Sequence, residues 1–585
     1  MKGLDLKEGN AIGVCVGLIA GGLVLAGISG AGLSWDGSYM LFRILDSQAP
    51  FVAHNRWIVI PFHWLVLLSR RLTSNVTVLG ILFGLVYVFI PILALAASWW
   101  VVRKSERSMF VWPVLGIGLG TLPGQFMLTT ESTMAVQLFW PLLLAILTGI
   151  RNLQGLLVVF LAFLILITHP IAVLLLAIGA VFAFGIGVAR SELRRKMWLW
   201  AMGLGATSAA RLAIFWKTKT GFEASQISFH AFQLQFRDSV AGLPLLSLTL
   251  ASVAATLIFI SPLVNRPPIR KLATTIRAVE LTCLVAAGVL LILWARDPRL
   301  WWKALDFRGF APLSSLVFMM FAALESVLYG SHLPSNTPSD WNLRLASMQV
   351  VGLTFLLVIS VQSTAWFGLT ERLRKTIAQS PTGCISTTSI EWLAGTPLNH
   401  WATPALSILL QGRSPQMLVL DGNACAEAGF PDKIRIAPWY VRTGKGGWFA
   451  LQATQPSCVF ALTSGWHLKE QRGTDWFRWT DGQGQIRAFM KDAATPVMRG
   501  HICSMQVPNR VDVLVNGERQ AKLDVRGDYC QAMSPVSLRL NAGEQTISFV
   551  SHNAAIVRGI DTRSFAFGLG NLTMIVGGSS CVLRP

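Results

Sequence analysis

The sequence predicts a polytopic α-helical membrane domain of about eleven spans, followed by an extracytoplasmic β-rich domain. Three observations carry that prediction. Hydrophobic residues make up 53% of the 585 and charged residues only 13%, and the apolar residues fall in runs close to the roughly 20 residues that a helical span requires. Short clusters of Lys and Arg separate those runs, as topology signals do. Six of the eight cysteines (Cys384, Cys425, Cys458, Cys503, Cys530 and Cys581) follow residue 380, none in CxxC spacing. That usage predicts up to three disulfides and an oxidising compartment. Cys15 and Cys283 lie in apolar runs and read as small core hydrophobes. The net charge of +20 is compatible with a nucleic-acid binder, but the basic residues are not gathered on one soluble face, so no nucleic-acid partner is expected.

Taken in order, Lys2 and Lys7 precede an apolar run over residues 11–33. The small residues at 26–31 also suit a cleaved signal peptide, but further runs follow, and a retained helix with its N-terminus inside is the expectation. A polar-aromatic loop over residues 34–74 then lies outside. The second run, 75–102, ends at Arg103-Lys104-Ser105-Glu106-Arg107. A third starts at Met109 and reaches Pro123-Gly124, and Thr129-Thr130-Glu131-Ser132-Thr133 separates it from a fourth over 134–149. The fifth ends at Thr168-His169-Pro170 and the sixth at Arg190 and Arg194-Arg195-Lys196. The seventh, 198–216, leads to a polar loop over 217–242, and the eighth returns to Arg266 through Lys271. The ninth, 278–295, opens a basic outward loop. The tenth and eleventh cover about 311–329 and 347–362, with Arg344 as the basic flag between them. Strict alternation puts all three strong basic clusters on one side.

Composition changes after residue 362, which divides the chain into a membrane domain over 1–365 and a second domain over 366–585. Val511-Asp512-Val513-Leu514-Val515 alternates and runs into Asn516-Gly517, a strand entering a hairpin turn. Residues 536–540 and 546–550 repeat the pattern, predicting a β-sandwich. An odd number of spans places this domain outside, as the cysteines do. The run from Asp561 through Met574 is similar to the closing strand of jelly-roll modules attached to sugar enzymes. Trp439, Trp448, Trp466, Trp476 and Trp479 either line a glycan groove or pack its core.

The outward loops gather the residues capable of chemistry. The first holds Asp36, Arg43, His54, Arg56 and His63, the second Glu131, the third His169, the fourth Arg237 and Asp238, and the fifth Arg296, Arg299, Lys303, Asp306 and Arg308. An acid near several cations at a membrane surface suits transfer from a lipid phosphate. The carboxylate accepts a proton from an attacking hydroxyl, while Arg and Lys hold the departing phosphate. Plainer readings stand beside this one. Asp36 can cap an amphipathic helix over 36–47, and Glu131 can be a solvated loop acid. His169-Pro170 can simply end a helix, and the basic fifth loop can meet lipid head groups. Trp35, Tyr39, Trp57 and Trp64 suit sugar stacking or an interfacial belt.

Many spans, an early acid in the first outward loop, amphipathic segments in that loop and a C-terminal extracytoplasmic domain together resemble the GT-C glycosyltransferases. Within that superfamily the chain is most similar to the bacterial aminoarabinose, arabinofuranosyl and mannosyl transferases. The resemblance covers residues 1–365 in architecture. It implies a bacterial inner-membrane enzyme that takes a sugar from a polyprenyl-phosphate-linked donor to a glycan or lipid acceptor, in contact with membrane lipids. It implies Asp36 as the base or the group orienting the acceptor, and Glu131 as the second acid. Arg43, His54, Arg56, His169, Arg299, Lys303 and Arg308 would bind donor phosphate or substrate. Asp36 is followed by Gly37 rather than by a second acid, so a divalent cation is left open as a cofactor and no metal ligands are assigned. Three rivals remain at this point: a transporter, an O-antigen polymerase or ligase, and a noncatalytic assembly factor presenting a sugar-binding domain.

Overall fold

The structure, a computed structural model, describes the chain apart from residues 1, 54–55, 74, 105, 220–241, 265–269, 304–306, 330–337, 380–383, 401, 412–417, 421–433, 437–450, 454–457, 468–469, 473–474, 491–492, 527–529, 558–563, 577–578 and 585. It divides into two units. The first comprises Met1–Gln379, Ile390–Pro415 and Pro438–Trp448, and the second Ser380–Ser389, Gln416–Ala437 and Phe449–Pro585.

The first unit is helical, and every apolar run is occupied by helix. Its elements are α1 (Lys2–Ile28), α2 (Asp36–Ser47), α3 (Ile60–Leu72), α4 (Val76–Val102), α5 (Val111–Leu115), α6 (Leu122–Gln125), α7 (Glu131–Leu147), α8 (Asn152–Leu166), α9 (Ala172–Ala189), α10 (Arg194–Thr218), α11 (Leu243–Val264), α12 (Arg270–Ala295), α13 (Pro298–Lys303), α14 (Phe307–Tyr329), α15 (Pro338–Gln379) and α16 (Thr403–Gln411). Among the described residues six helices are long and apolar enough to cross a membrane, in α1, α4, α9, α11, α12 and α15, and three shorter apolar segments lie in α7, α8 and α14. The third run is interrupted by a π turn at Gly116–Gly120 between α5 and α6. The Trp140 ring packs directly on its first residue: a Cβ on Gly116 would lie 2.2 Å from that ring. Every residue of α7 is buried, which makes it the axis of the bundle.

Contacts between helices fix their directions. Cys15 Sγ donates to the Met348 carbonyl at 3.1 Å, and Trp366 Nε1 donates to the Gly30 carbonyl at 3.1 Å, so α1 and α15 run parallel. Ser347 Oγ bonds Glu280 Oε1, and Gly288 abuts Thr354, so α12 is parallel to both. Ser247 Oγ donates to the Ala287 carbonyl at 2.9 Å, which holds α11 against α12. At one end of the bundle Gln154 bonds the Val101 carbonyl, Lys196 the Ile150 carbonyl, and Arg190 the Ser326 carbonyl. Arg344, expected as a topology flag, instead forms a buried ion pair with Glu325 at 2.9 Å and also donates to the Ser108 carbonyl. Trp112 Nε1 donates to the other Glu325 oxygen at 2.8 Å.

Helix α15 passes residue 365 and continues to Gln379, so the compositional break falls inside a helix. Its last turns look like a soluble tail because they are polar: Arg374 pairs with Glu371, bonds the Leu410 carbonyl at 3.2 Å, and lies one residue beyond Leu373 in the core. The segment after residue 389 returns to this unit as α16, which packs on α2.

The second unit is β-rich. The strands of its large sheet are β1 (Cys458–Leu462), β2 (Glu470–Arg472), β3 (Asp475–Thr480), β4 (Gln483–Met490), β5 (Val497–Ser504), β6 (Asn509–Val515), β7 (Glu518–Val525), β8 (Cys530–Ala532), β9 (Val536–Ser537), β10 (Gly543–Ser551), β11 (Phe567–Val576) and β12 (Ser579–Arg584), and short two-stranded pairs lie beside it in sequence. Pairing runs β7-β6-β10-β4-β1-β12-β11-β3-β2, with β5 pairing β8, β9 and β11. One shared core takes Ile486, Val513, Phe549, Ile502, Phe567 and Met574 from both halves of that order. The predicted turn at Asn516-Gly517 is present, both residues having positive φ, at 51° and 92°, as a tight hairpin requires. A disulfide joins Cys503 and Cys530 at a paired position of β5 and β8, and Cys581 is disulfide-bonded as well. Trp466 and Trp479 pack inward. The Trp466 ring sits 6.0 Å from both Phe549 and Phe567, and Trp479 is 3% exposed. Trp439 and Trp448, and the side chain of Trp476, lie outside the described residues.

Candidate functional site

Parts of the first three loops meet at the other end of the helical unit. The Ile58 N–H donates to the Ile167 carbonyl at 3.3 Å, which ties the first loop to the third. Gly37 faces Thr129, tying the first loop to the second. Gln362 and Trp366 of α15 reach the same end, and so does α13, which follows α12.

Asp36 is the first residue of α2 and is half-buried. The residue before it, Trp35, holds φ 49° and ψ −121°, a conformation that a bulky side chain rarely adopts and that surrounding packing must impose. Trp35 stacks obliquely on His400 at 4.8 Å, and Ser38 Oγ donates to the Trp35 carbonyl at 3.0 Å and to the Ala402 carbonyl at 3.4 Å. A side chain at position 37 has no room, since a Cβ there would lie 1.9 Å from the Gly32 carbonyl oxygen. A second acid directly after Asp36 is therefore sterically excluded. A mainly apolar cleft of about 360 Å³, solvent at its mouth included, is lined by Ser34, Trp35, Phe126, Met127, Gln362 and Trp366, with Pro123 and Pro397; it takes in the two residues before Asp36 but not Asp36 itself.

Glu131 opens α7 and is 4% exposed. Arg56 Nη1 donates to its Oε2 at 2.8 Å. Behind this pair, His63 Nε2 and the Tyr87 hydroxyl share a 3.0 Å hydrogen bond, and Tyr87 lies within electrostatic reach of Glu131. Burial pushes the His63 imidazole down to about 4, against a smaller opposing effect from the Phe51 backbone, so His63 is neutral at physiological pH.

The other expected residues divide. Arg43 Nη1 donates to the Tyr39 hydroxyl at 3.1 Å, and its guanidinium lies 5.0 Å from the Phe51 ring centre. His169 Nδ1 accepts the Ile171 N–H at 3.1 Å, so it caps the turn into α9. Arg299 is exposed on α13, its N–H donating to Asp297 Oδ1 at 2.9 Å. His54 lies outside the described residues, as do Arg237, Asp238 and Asp306; for Lys303 and Arg308 only the backbone, in α13 and α14, is described. Among the described residues no three of His, Cys, Asp and Glu gather as a metal cage, so no metal step is derived. Tyr87, Gln362 and His400 were not legible as site residues, because each lies in an apolar run or in a segment that only the fold returns to this unit.

No known protein-family model matches the chain. No curated protein matches it either.

Proposed function

We propose that the chain is a membrane glycosyltransferase that moves a sugar from a polyprenyl-phosphate donor to an extracytoplasmic glycan or lipid acceptor. The observation that carries this reading is the meeting of the loops bearing Asp36, Glu131 and His169 at one end of an apolar helical bundle. In the proposed reaction the acceptor hydroxyl attacks the anomeric carbon and gives its proton to Asp36. The bond from that carbon to the phosphate oxygen breaks, and the polyprenyl phosphate departs with the electron pair. Arg299, with Lys303 and Arg308 following it in sequence, supplies cations for that phosphate, and Glu131 assists from the start of α7. The bilayer holds the polyprenyl tail.

The proposal places the protein in a bacterial inner membrane with the β-rich unit in the periplasm. The disulfides of that unit support an oxidising compartment. The test is turnover by the purified protein in nanodiscs. A panel of polyprenyl-phosphate-linked pentoses and hexoses is offered beside the same sugars carried on soluble nucleotides. Release of polyprenyl phosphate from at least one lipid donor, with none of the nucleotide sugars consumed, is the expected result. Release from no member of the lipid panel overturns the reading.

A further inference from the structure

We infer that α3 dips into the membrane as half of a helical hairpin, its exposed face against lipid acyl chains and Arg70 and Arg71 level with the phospholipid phosphates; this does not depend on the glycosyl-transfer reading above. Trp64, Leu65, Leu68 and Leu72 of α3 are all exposed, Leu72 to 88%. Their spacing is helical, so they form one apolar stripe. His63, Val66 and Leu67, on the opposite face, are buried. With 13 residues α3 is about 20 Å long, too short to cross a bilayer. A large apolar stripe on a short helix calls for a partner.

How α3 sits on α4 selects that partner. The Phe62 and Tyr87 ring centres are 5.1 Å apart, and His63 Nε2 and the Tyr87 hydroxyl share a 3.0 Å hydrogen bond. Leu72, at the other end of α3, is followed almost at once by Val76, the first residue of α4. The two helices therefore run antiparallel, as a helical hairpin. Tyr87 lies about 16 Å along α4 from Val76. Helix α4 has 27 residues, none of them charged, and is apolar enough to span. At about 40 Å it exceeds the hydrocarbon core by about 10 Å. Even with all of that excess at the Val76 end, the His63–Tyr87 contact lies within hydrocarbon. From there α3 climbs to the head groups of the same leaflet, the outer one in the proposed orientation. Val78, Phe89 and Leu93 are the exposed large apolar residues at successive depths of α4, so both arms of the hairpin offer apolar surface to one medium. Arg70 and Arg71 occupy the last turn of α3, where their charge meets phosphate rather than acyl chain.

Depth along α3 is the quantity to measure. Nitroxide labels are placed one at a time at Trp64→Cys, Leu68→Cys and Leu72→Cys of the full chain, in nanodiscs of phosphatidylethanolamine and phosphatidylglycerol. The unsubstituted protein, treated alike, sets the background from native thiols. Collisions with oxygen, which concentrates in hydrocarbon, are compared with collisions with a water-soluble nickel chelate. Phe89→Cys, exposed on α4, is the lipid reference, and Gln48→Cys, exposed just after α2, is the water reference. The Trp64 and Leu68 labels are expected to resemble Phe89. The ratio of oxygen to nickel access should rise from Leu72 through Leu68 to Trp64, each step lying about 6 Å deeper. Nickel access at Trp64 equal to that at Gln48 overturns the inference and leaves the face in water. One shared depth for all three labels also overturns it, with the helix lying flat among the head groups. Low access to both reagents at all three positions means that protein covers the stripe, and the inference falls again. If Trp64→Cys fails to insert, Leu65→Cys takes its place on the same stripe, with the same outcomes.

Discussion

Around Asp36 the backbone leaves little choice of neighbour. Trp35 is held in a left-handed conformation, and Gly37 is pressed against the Gly32 carbonyl. Gly37→Ala would set a Cβ 1.9 Å from that oxygen, and the overpacking should destabilise the protein by about 1–3 kcal/mol. A thermal melt in detergent should record a clearly lowered midpoint, and an unchanged midpoint would contradict the described packing. Sequence alone singles out Asp36, because an acid directly after an apolar run is conspicuous. It does not reveal why glycine follows, because the reason lies in a carbonyl five residues earlier. Nor does it pair Glu131 with Arg56, since the two lie on different loops and no local pattern links them.

At the scale of the elements, apolar runs were legible and their interruptions were not. Helix occupies each run because the membrane criterion is a local sum of side-chain character. The π turn at Gly116–Gly120 and the extension of α15 to Gln379 depend on what packs alongside. Arg344 shows the difference most clearly. A basic residue between two apolar runs reads as a surface flag, yet it is 2% exposed and bound to Glu325, to which Trp112 also bonds. Removing one partner leaves an uncompensated buried charge, which costs about 3–5 kcal/mol. Arg344→Ala should therefore lower the melting midpoint sharply, whereas Arg344→Met combined with Glu325→Leu should recover much of the loss. A double variant no better than the single one would show that the pair does not act as a unit.

At the scale of the whole molecule, individual hydrogen bonds gather polar residues into two groups at opposite ends of the helical unit. Gln154, Lys196 and Arg190 share one end, and Arg56, Glu131, Ile167 and Trp366 the other. The sidedness has a direct test. In whole spheroplasts an impermeant thiol reagent should label Gln48→Cys, in the first loop, and leave Lys104→Cys unlabelled until the membrane is opened. Reversed labelling would invert the orientation. In the β-rich unit, the hairpin at Asn516-Gly517 was legible because its turn chemistry is local. The parallel pairing of β12 with β1 was not, because it closes over more than a hundred residues.

The central claim is that Asp36 takes the proton from the attacking hydroxyl. Its most direct measurement is single-turnover transfer from a polyprenyl-phosphate sugar by wild type and Asp36→Asn, both inserted equally and melting alike. The account predicts a fall of about 10²- to 10⁴-fold in the transfer rate, with donor binding retained. Full transfer activity in the asparagine protein would contradict it.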